Sequence, residues 1–108
     1  MKVQIKPLSV NDAYRGRRFQ SKDYICYCTD LLRLLPKMVI PEGPLQIKLV
    51  FGLSNKASDI DNPVKPFVDV LQKAYGFNDK MIYKLDVEKK IVKKGEEFID
   101  FVLSPHIA

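Results

Sequence analysis

The sequence predicts an α+β domain in which two helices pack on a small mixed β-sheet, in the order βαβαββ. Three observations carry that expectation. Two stretches space their apolar residues by three and four. Four others alternate apolar with polar side chains. The 108 residues, 46% of them hydrophobic, suit one domain, residues 1–108, with a small core.

In chain order, residues 2–6 place Val3 and Ile5 on one side and Lys2, Gln4 and Lys6 on the other, a short half-buried strand. Residues 7–19 hold no period and mix turn formers with arginines and two aromatics, which predicts an exposed loop that touches a partner. Ser21 is placed to cap a helix over 22–35, with Ile25, Cys28, Leu31, Leu32 and Leu35 facing inward and Pro36 ending it. Residues 38–43 contain Pro41 and Gly43 and read as a loop. Leu45, Ile47, Leu49 and Phe51 alternate with Gln46, Lys48 and Val50 in a second strand that stops near Gly52 to Ser54. The next helix carries Val64, Phe67, Val68, Leu71, Ala74 and Tyr75 as one stripe, with Gly76 as its C-cap. Pro66 is tolerated only in the first turn, so this helix cannot begin much before Pro63. Tyr83, Leu85, Val87 and Ile91 mark a third strand. After a turn at Lys93 to Glu96, Ile99, Phe101 and Leu103 mark a fourth, expected to pair with the third as a hairpin. Ser104 to Ala108 should be loose.

Eighteen Lys and Arg against thirteen Asp and Glu give a net charge of +5 and a pI near 9.2, which suits a partner carrying phosphates. No apolar run approaches the roughly 20 residues that cross a bilayer, and the first residues lack the apolar core of a signal peptide, so a cytoplasmic protein without membrane contact is expected. Cys26 and Cys28, two apart on a helix, diverge and read as reduced, largely buried residues. Gly-rich phosphate loops, Ser-His-Asp sets and zinc spacings are missing, which speaks against an organic cofactor or a zinc site. His106, the sole histidine, lies in the tail and is not expected to act in catalysis.

Charge gathers between residues 59 and 79. Asp59 and Asp61, two apart in an extended segment, point to one side and could share a divalent ion. Asp79, returned by Gly76, could add a third carboxylate. Lys65, four residues after Asp61, could orient water or stabilise charge on a phosphate. Asp69 would hold that lysine, and Asn62 before Pro63 is a candidate N-cap. The same residues also read as ordinary structure: Asp61 and Asn62 as caps, Asp61, Lys65 and Asp69 as i,i+4 surface pairs worth roughly 0.2–0.5 kcal/mol each, Asp79 as turn chemistry. Spacing alone leaves both readings open.

Asp59-Ile60-Asp61-Asn62 with Lys65 and Asp69, then Leu71, then Gly76-Phe77-Asn78-Asp79 and Ile82, resembles the signature of the RusA-type Holliday-junction resolvases. Upstream, Pro7-Leu8-Ser9-Val10-Asn11 followed by Tyr14, Arg15 and Gly16-Arg17-Arg18-Phe19 is similar to that family's Pro-Ser-x-Asn loop and basic continuation. The resemblance spans nearly the whole chain. It implies a Mg²⁺-dependent homodimeric crossover junction endodeoxyribonuclease, usually encoded by phage or prophage, that nicks four-way DNA junctions symmetrically in recombination and repair. Mn²⁺ could replace the Mg²⁺. It also implies that Asp59, Asp61 and Asp79 are the catalytic metal-binding aspartates and Lys65 the essential lysine, with Asn62 and Asp69 as supports. Asn11, Tyr14, Arg15, Arg17 and Arg18 would grip the junction. Two positions depart from the family pattern: Asn78 where many members carry an acid, and Ser58 where many carry an arginine. Two rivals stand beside this reading, a non-catalytic basic DNA-binding module and a restriction-like nuclease using Glu88 and Lys90.

Overall fold

The computed structural model describes residues 1–15 and 19–107, without the side chains of Arg15 and Phe19. Gly16, Arg17, Arg18 and Ala108 lie outside the described residues. The elements run β1 (Lys2–Val3), α1 (Val10–Ala13), β2 (Tyr14–Arg15), β3 (Phe19–Gln20), α2 (Lys22–Leu34), β4 (Leu45–Leu53), α3 (Val64–Tyr75), a 3₁₀ helix (Asp79–Met81), β5 (Ile82–Ile91) and β6 (Phe98–Pro105). The class is α+β: three α-helices accompany a four-stranded mixed sheet in the order β1-β6-β4-β5 and a small β2–β3 ribbon. No helix among the described residues is long and apolar enough to cross a membrane.

The alternation in β4 does what its pattern requires. Leu45, Ile47, Leu49 and Phe51 are almost fully buried on one face. Facing them in register are Leu85 and Val87 of β5 and Ile99, Phe101 and Leu103 of β6. The helices cover this face. Phe67 of α3 sits between Phe51 and Phe101, with ring centroids 6.1 and 5.5 Å apart in edge-on geometry. On the other face the Phe98 ring lies over Gly52, where a Cβ would come within 2.3 Å of it, so the glycine makes room for the ring.

The expected hairpin does not form. β5 runs parallel to β4 on one side, and β6 runs antiparallel to β4 on the other. The parallel pair is closed by α3, the crossover that parallel neighbours need. Residues 92–97 then carry the chain past the end of β4, where the Val92 N–H donates to the Leu53 carbonyl at 2.8 Å. Burial explains the choice. Ile99 and Phe101 of β6 are buried, as an inner strand demands, whereas β5, with Lys84, Asp86, Glu88 and Lys90, tolerates the solvated edge.

Several other expectations are corrected. The strand over 2–6 shortens to β1, paired with β6. The loop over 7–19 is structured over most of its length: Ser9 caps α1, Pro7 and Ala13 are buried, and β2 pairs with β3. The tail is not loose, since β6 continues to Pro105 and the His106 N–H donates to the Pro44 carbonyl at 2.9 Å. Ser21 caps α2 as expected, but its buried face is Tyr24, Tyr27 and Leu31, leaving Ile25 and Leu32 exposed. The tyrosines bring larger apolar bodies than the aliphatic set and win the inward face. Cys26 is exposed and Cys28 half-buried, both as free thiols.

Candidate active site

The approach to α3 is a pair of consecutive turns. The Asn62 N–H donates to the Asp59 carbonyl and the Val64 N–H to the Asp61 carbonyl, each at 3.2 Å. An extended segment would aim Asp59 and Asp61 the same way; these turns do not. Asp61 lines an open cleft between α3 and β5, and Asp59 is exposed outside its lining. Helix α3 begins at Val64 with Pro63 as N-cap and no side-chain cap. The sequence explains why it can do without one: Pro66 has no N–H, and the Val64 and Phe67 N–H groups already bond Asp61 and Pro63. Asn62 is therefore not the expected cap. Its carbonyl instead accepts from the Val10 N–H at 2.8 Å, tying the turn to α1.

From α3 the chain contributes Lys65 and Asp69 to the same cleft. The Lys65 ammonium lies 3.2 Å from Asp69 Oδ2 and 5.2 Å from the centre of the Tyr14 ring. The Tyr14 hydroxyl donates to that same carboxylate oxygen. Gln72, one turn further, donates from Nε2 to Asp69 Oδ1 at 3.4 Å, so three side chains converge on one half-buried acid. Gln72 also accepts, through Oε1, the backbone N–H of Asp79 at 3.0 Å. That bond spans the left-handed Gly76, whose φ of 74° turns the chain out of α3. Asn78 caps the 3₁₀ helix, its Oδ1 accepting from the Lys80 N–H at 3.0 Å. Asn78 thus has a structural task in the turn that leads to Asp79. Asp79 itself reaches the cleft.

The cleft has a volume of about 740 Å³. Asp61, Lys65, Asp69 and Asp79 supply its charged groups together with Lys84, and Val64, Val68, Ile82 and Leu85 are among its apolar ones. Among the described residues, no three His, Cys, Asp or Glu side chains stand close enough to hold a metal ion together. The donors nonetheless suit a hard cation. Asp61 and Asp79 are exposed carboxylates without an ion-pair partner among the described residues, while Asp69 is committed to its three donors. Burial, and then the Asp69 carboxylate it donates to, push the Tyr14 phenol well above its ordinary range.

The proposed DNA contacts fare unevenly. Asn11 is exposed on α1 and Arg15 lies in β2, while Arg17 and Arg18 fall outside the described residues. Tyr14 is half-buried and engaged with Asp69 and with Tyr24, whose ring centroid is 5.6 Å away, so it is a strut of the site and not a free phosphate contact. Glu88 and Lys90 lie 3.8 Å apart, both exposed, on the sheet face opposite that of Val87. They make a solvated pair away from Asp79.

Two contributors escaped the sequence reading. Gln72 stands three residues after Asp69, on the same helical face, and that spacing could have flagged it. Lys89 donates to the Ser58 carbonyl at 2.8 Å and the Lys56 carbonyl at 3.3 Å, holding the loop that leads to Asp59 and Asp61. No local signal marks that contact, which joins residues more than 30 positions apart. No family model and no curated protein matches the chain.

Proposed function

We propose that the protein is a Mg²⁺-dependent, structure-selective endodeoxyribonuclease that acts as a homodimer on four-way DNA junctions, as the resemblance to the RusA-type resolvases implies. The observation that carries this reading is the convergence of Asp61, Lys65, Asp69 and Asp79 on one open cleft from two chain segments joined by Gln72. A helix that merely carried surface pairs would need neither the Gln72 bridge to Asp79 nor the Tyr14 strut.

In this reading Asp61 and Asp79 hold Mg²⁺, or Mn²⁺ in its place, with Asp59 approaching from the turn just before the cleft. The metal, when bound, supplies a Lewis acid for the scissile phosphate and its attacking water. Lys65 presents its ammonium to the phosphate oxygens, where negative charge develops. Asp69 sets the reach of that lysine, and Tyr14 and Gln72 hold Asp69 in place. Basic residues of the Arg15 to Arg18 stretch bind neighbouring phosphates without reading sequence. Two symmetric nicks need two clefts, which a two-fold dimer provides.

Asp61→Asn tests the proposal on synthetic four-way junctions with Mg²⁺. Cleavage is expected to be lost while junction binding is kept or tightened, since a negative charge beside phosphate has been removed. Undiminished cleavage by this variant, or a wild type that cuts no branched DNA, refutes the reading. Light scattering checks the dimer.

A further inference from the structure

We propose that the apolar part of the α3–β5 cleft lining, with the exposed Tyr83 ring, takes one unstacked nucleobase from the DNA strand whose phosphate lies at Asp61 and Asp79. The inference rests on the endonuclease reading above and adds what that reading lacks, a reason for preferring branched DNA.

Tyr83 is set apart by the backbone. In the β4–β5 ladder Leu45 pairs with Ile82 and Gln46 with Lys84, so Tyr83 is skipped by an irregularity of the register. Such a bulge re-aims a side chain out of the regular pleat. The result is an aromatic ring 64% exposed that still lines the cleft with Asp61 and Asp79. Its ring packs only obliquely on His106, with centroids 5.9 Å apart. Beside it, Ile60 and Leu85 are 45% and 46% exposed, an apolar surface the protein itself leaves uncovered.

Charge selects the occupant. Asp61, Asp69 and Asp79 outnumber Lys65 and Lys84 in the lining, and Lys65 is paired with Asp69, so a DNA strand enters only with the cation that the reading above gives to Asp61 and Asp79. A phosphate drawn to that cation and to Lys84 brings its own base to the apolar residues of the same lining. The volume of about 740 Å³ lies within the roughly 300–1,000 Å³ of small-molecule sites, room for one nucleotide. A base must leave the helix to enter. That step costs least where bases are already unpaired, as at a junction centre or branch.

The test compares binding of a four-way junction with that of a fully paired duplex, with Ca²⁺ in place of Mg²⁺ so that the acids are offset while binding is measured. Tyr83→Ala should weaken junction binding roughly ten-fold, in keeping with the loss of one base–aromatic stack, and leave duplex binding unchanged. Tyr83→Phe, which keeps the ring, should bind like the wild type. Tyr83→Trp introduces the only tryptophan of the chain. Its emission should be quenched by the junction and not by the duplex. Equal junction binding by the alanine variant overturns the proposal, as does quenching by the duplex. If the Tyr83→Trp emission instead shifts with protein concentration in the absence of DNA, a second copy covers this part of the lining and the nucleobase site is refuted. Failure of the wild type to bind any junction overturns the endonuclease reading itself, and this inference with it.

Discussion

Replacing Tyr14 by phenylalanine removes one hydroxyl and leaves the ring against Tyr24. What disappears is a donor to the half-buried Asp69 carboxylate. A hydrogen bond to a charged group contributes about 1.5–3 kcal/mol. Asp69 keeps Lys65 at 3.2 Å and Gln72 at 3.4 Å, and its side chain is 24% exposed, so water can take the vacated position. The low end of the range, about 1.5 kcal/mol, is therefore expected, or a fall in Tm of about 6 °C for a domain of this size. The pH dependence supplies a second readout. Burial and Asp69 raise the folded-state pKa of Tyr14. A raised folded value contributes stability that is complete below the unfolded value, about 10, and is lost as pH climbs from there toward the folded one. In that window the unfolded chain has released its proton and the native chain has not. Stability then drops by about 1.4 kcal/mol per pH unit for each such phenol. Burial raises Tyr24, Tyr27 and Tyr75 in the same direction, so Tyr14→Phe should remove one increment of the alkaline slope and keep the rest. Urea unfolding at pH 7 and at two values above 10 measures both quantities. An unchanged midpoint at pH 7 together with an unchanged alkaline slope would refute the strut.

Two further substitutions probe the frame of the site. Gln72→Leu removes the acceptor of the Asp79 N–H and a donor to Asp69, at a stability cost of about 1 kcal/mol. Hydrogen exchange of the Asp79 amide should accelerate and calorimetric Mg²⁺ affinity should fall; an amide as protected as in the wild type counts against the bridge. Lys89→Met keeps the aliphatic stem and loses the bonds to the Ser58 and Lys56 carbonyls. Global stability should change by less than about 1 kcal/mol, while an Asp-directed protease should cut more quickly at Asp59; unaltered digestion would show that the tether does not hold the loop.

How much of this was legible in the residues depended on the range of the interaction. The β4 alternation and the helical stripe of α3 are local periods enforced by burial; the first appears at the expected residues, and the second is centred on Phe67, Val68 and Leu71 as expected but widened by the buried Pro66 and Val70. The Ser21 cap and the left-handed Gly76 are likewise decided within a few residues. The partner of β5 was not legible. Short connections favour hairpins, yet the choice went to whichever strand could afford an inner position, a comparison of burial between β5 and β6 that no single segment contains. The buried face of α2 was not legible either, because Tyr24 and Tyr27 displace Ile25 and Leu32 from the core, a contest that packing against the rest of the domain decides. In the site, Asp61, Lys65, Asp69 and Asp79 were singled out from spacing and resemblance and do meet at one cleft. Asp59 was expected beside Asp61 from a rule for extended backbone, and the two turns before α3 void that rule.

Electrostatics favours leaving the acids of the site solvated. Two carboxylates about 4 Å apart near a protein surface repel by about 4 kcal/mol, a large share of what a domain of this size has to spare. A chain that must present several acids to one phosphate does better to fix the backbone under them and leave the carboxylates solvated. That is the pattern of contacts here. The turn before α3 is tied by Val10 to Asn62, the loop before it by Lys89 to Ser58, and the segment after α3 by Gln72 to Asp79. Every one of these bonds ends on a main-chain atom, and none occupies the carboxylate of Asp59, Asp61 or Asp79. On the endonuclease reading the division of labour is then clear: main-chain bonds set where the acids emerge, Asp69 spends its charge on internal donors, and Asp61 and Asp79 keep theirs for a cation.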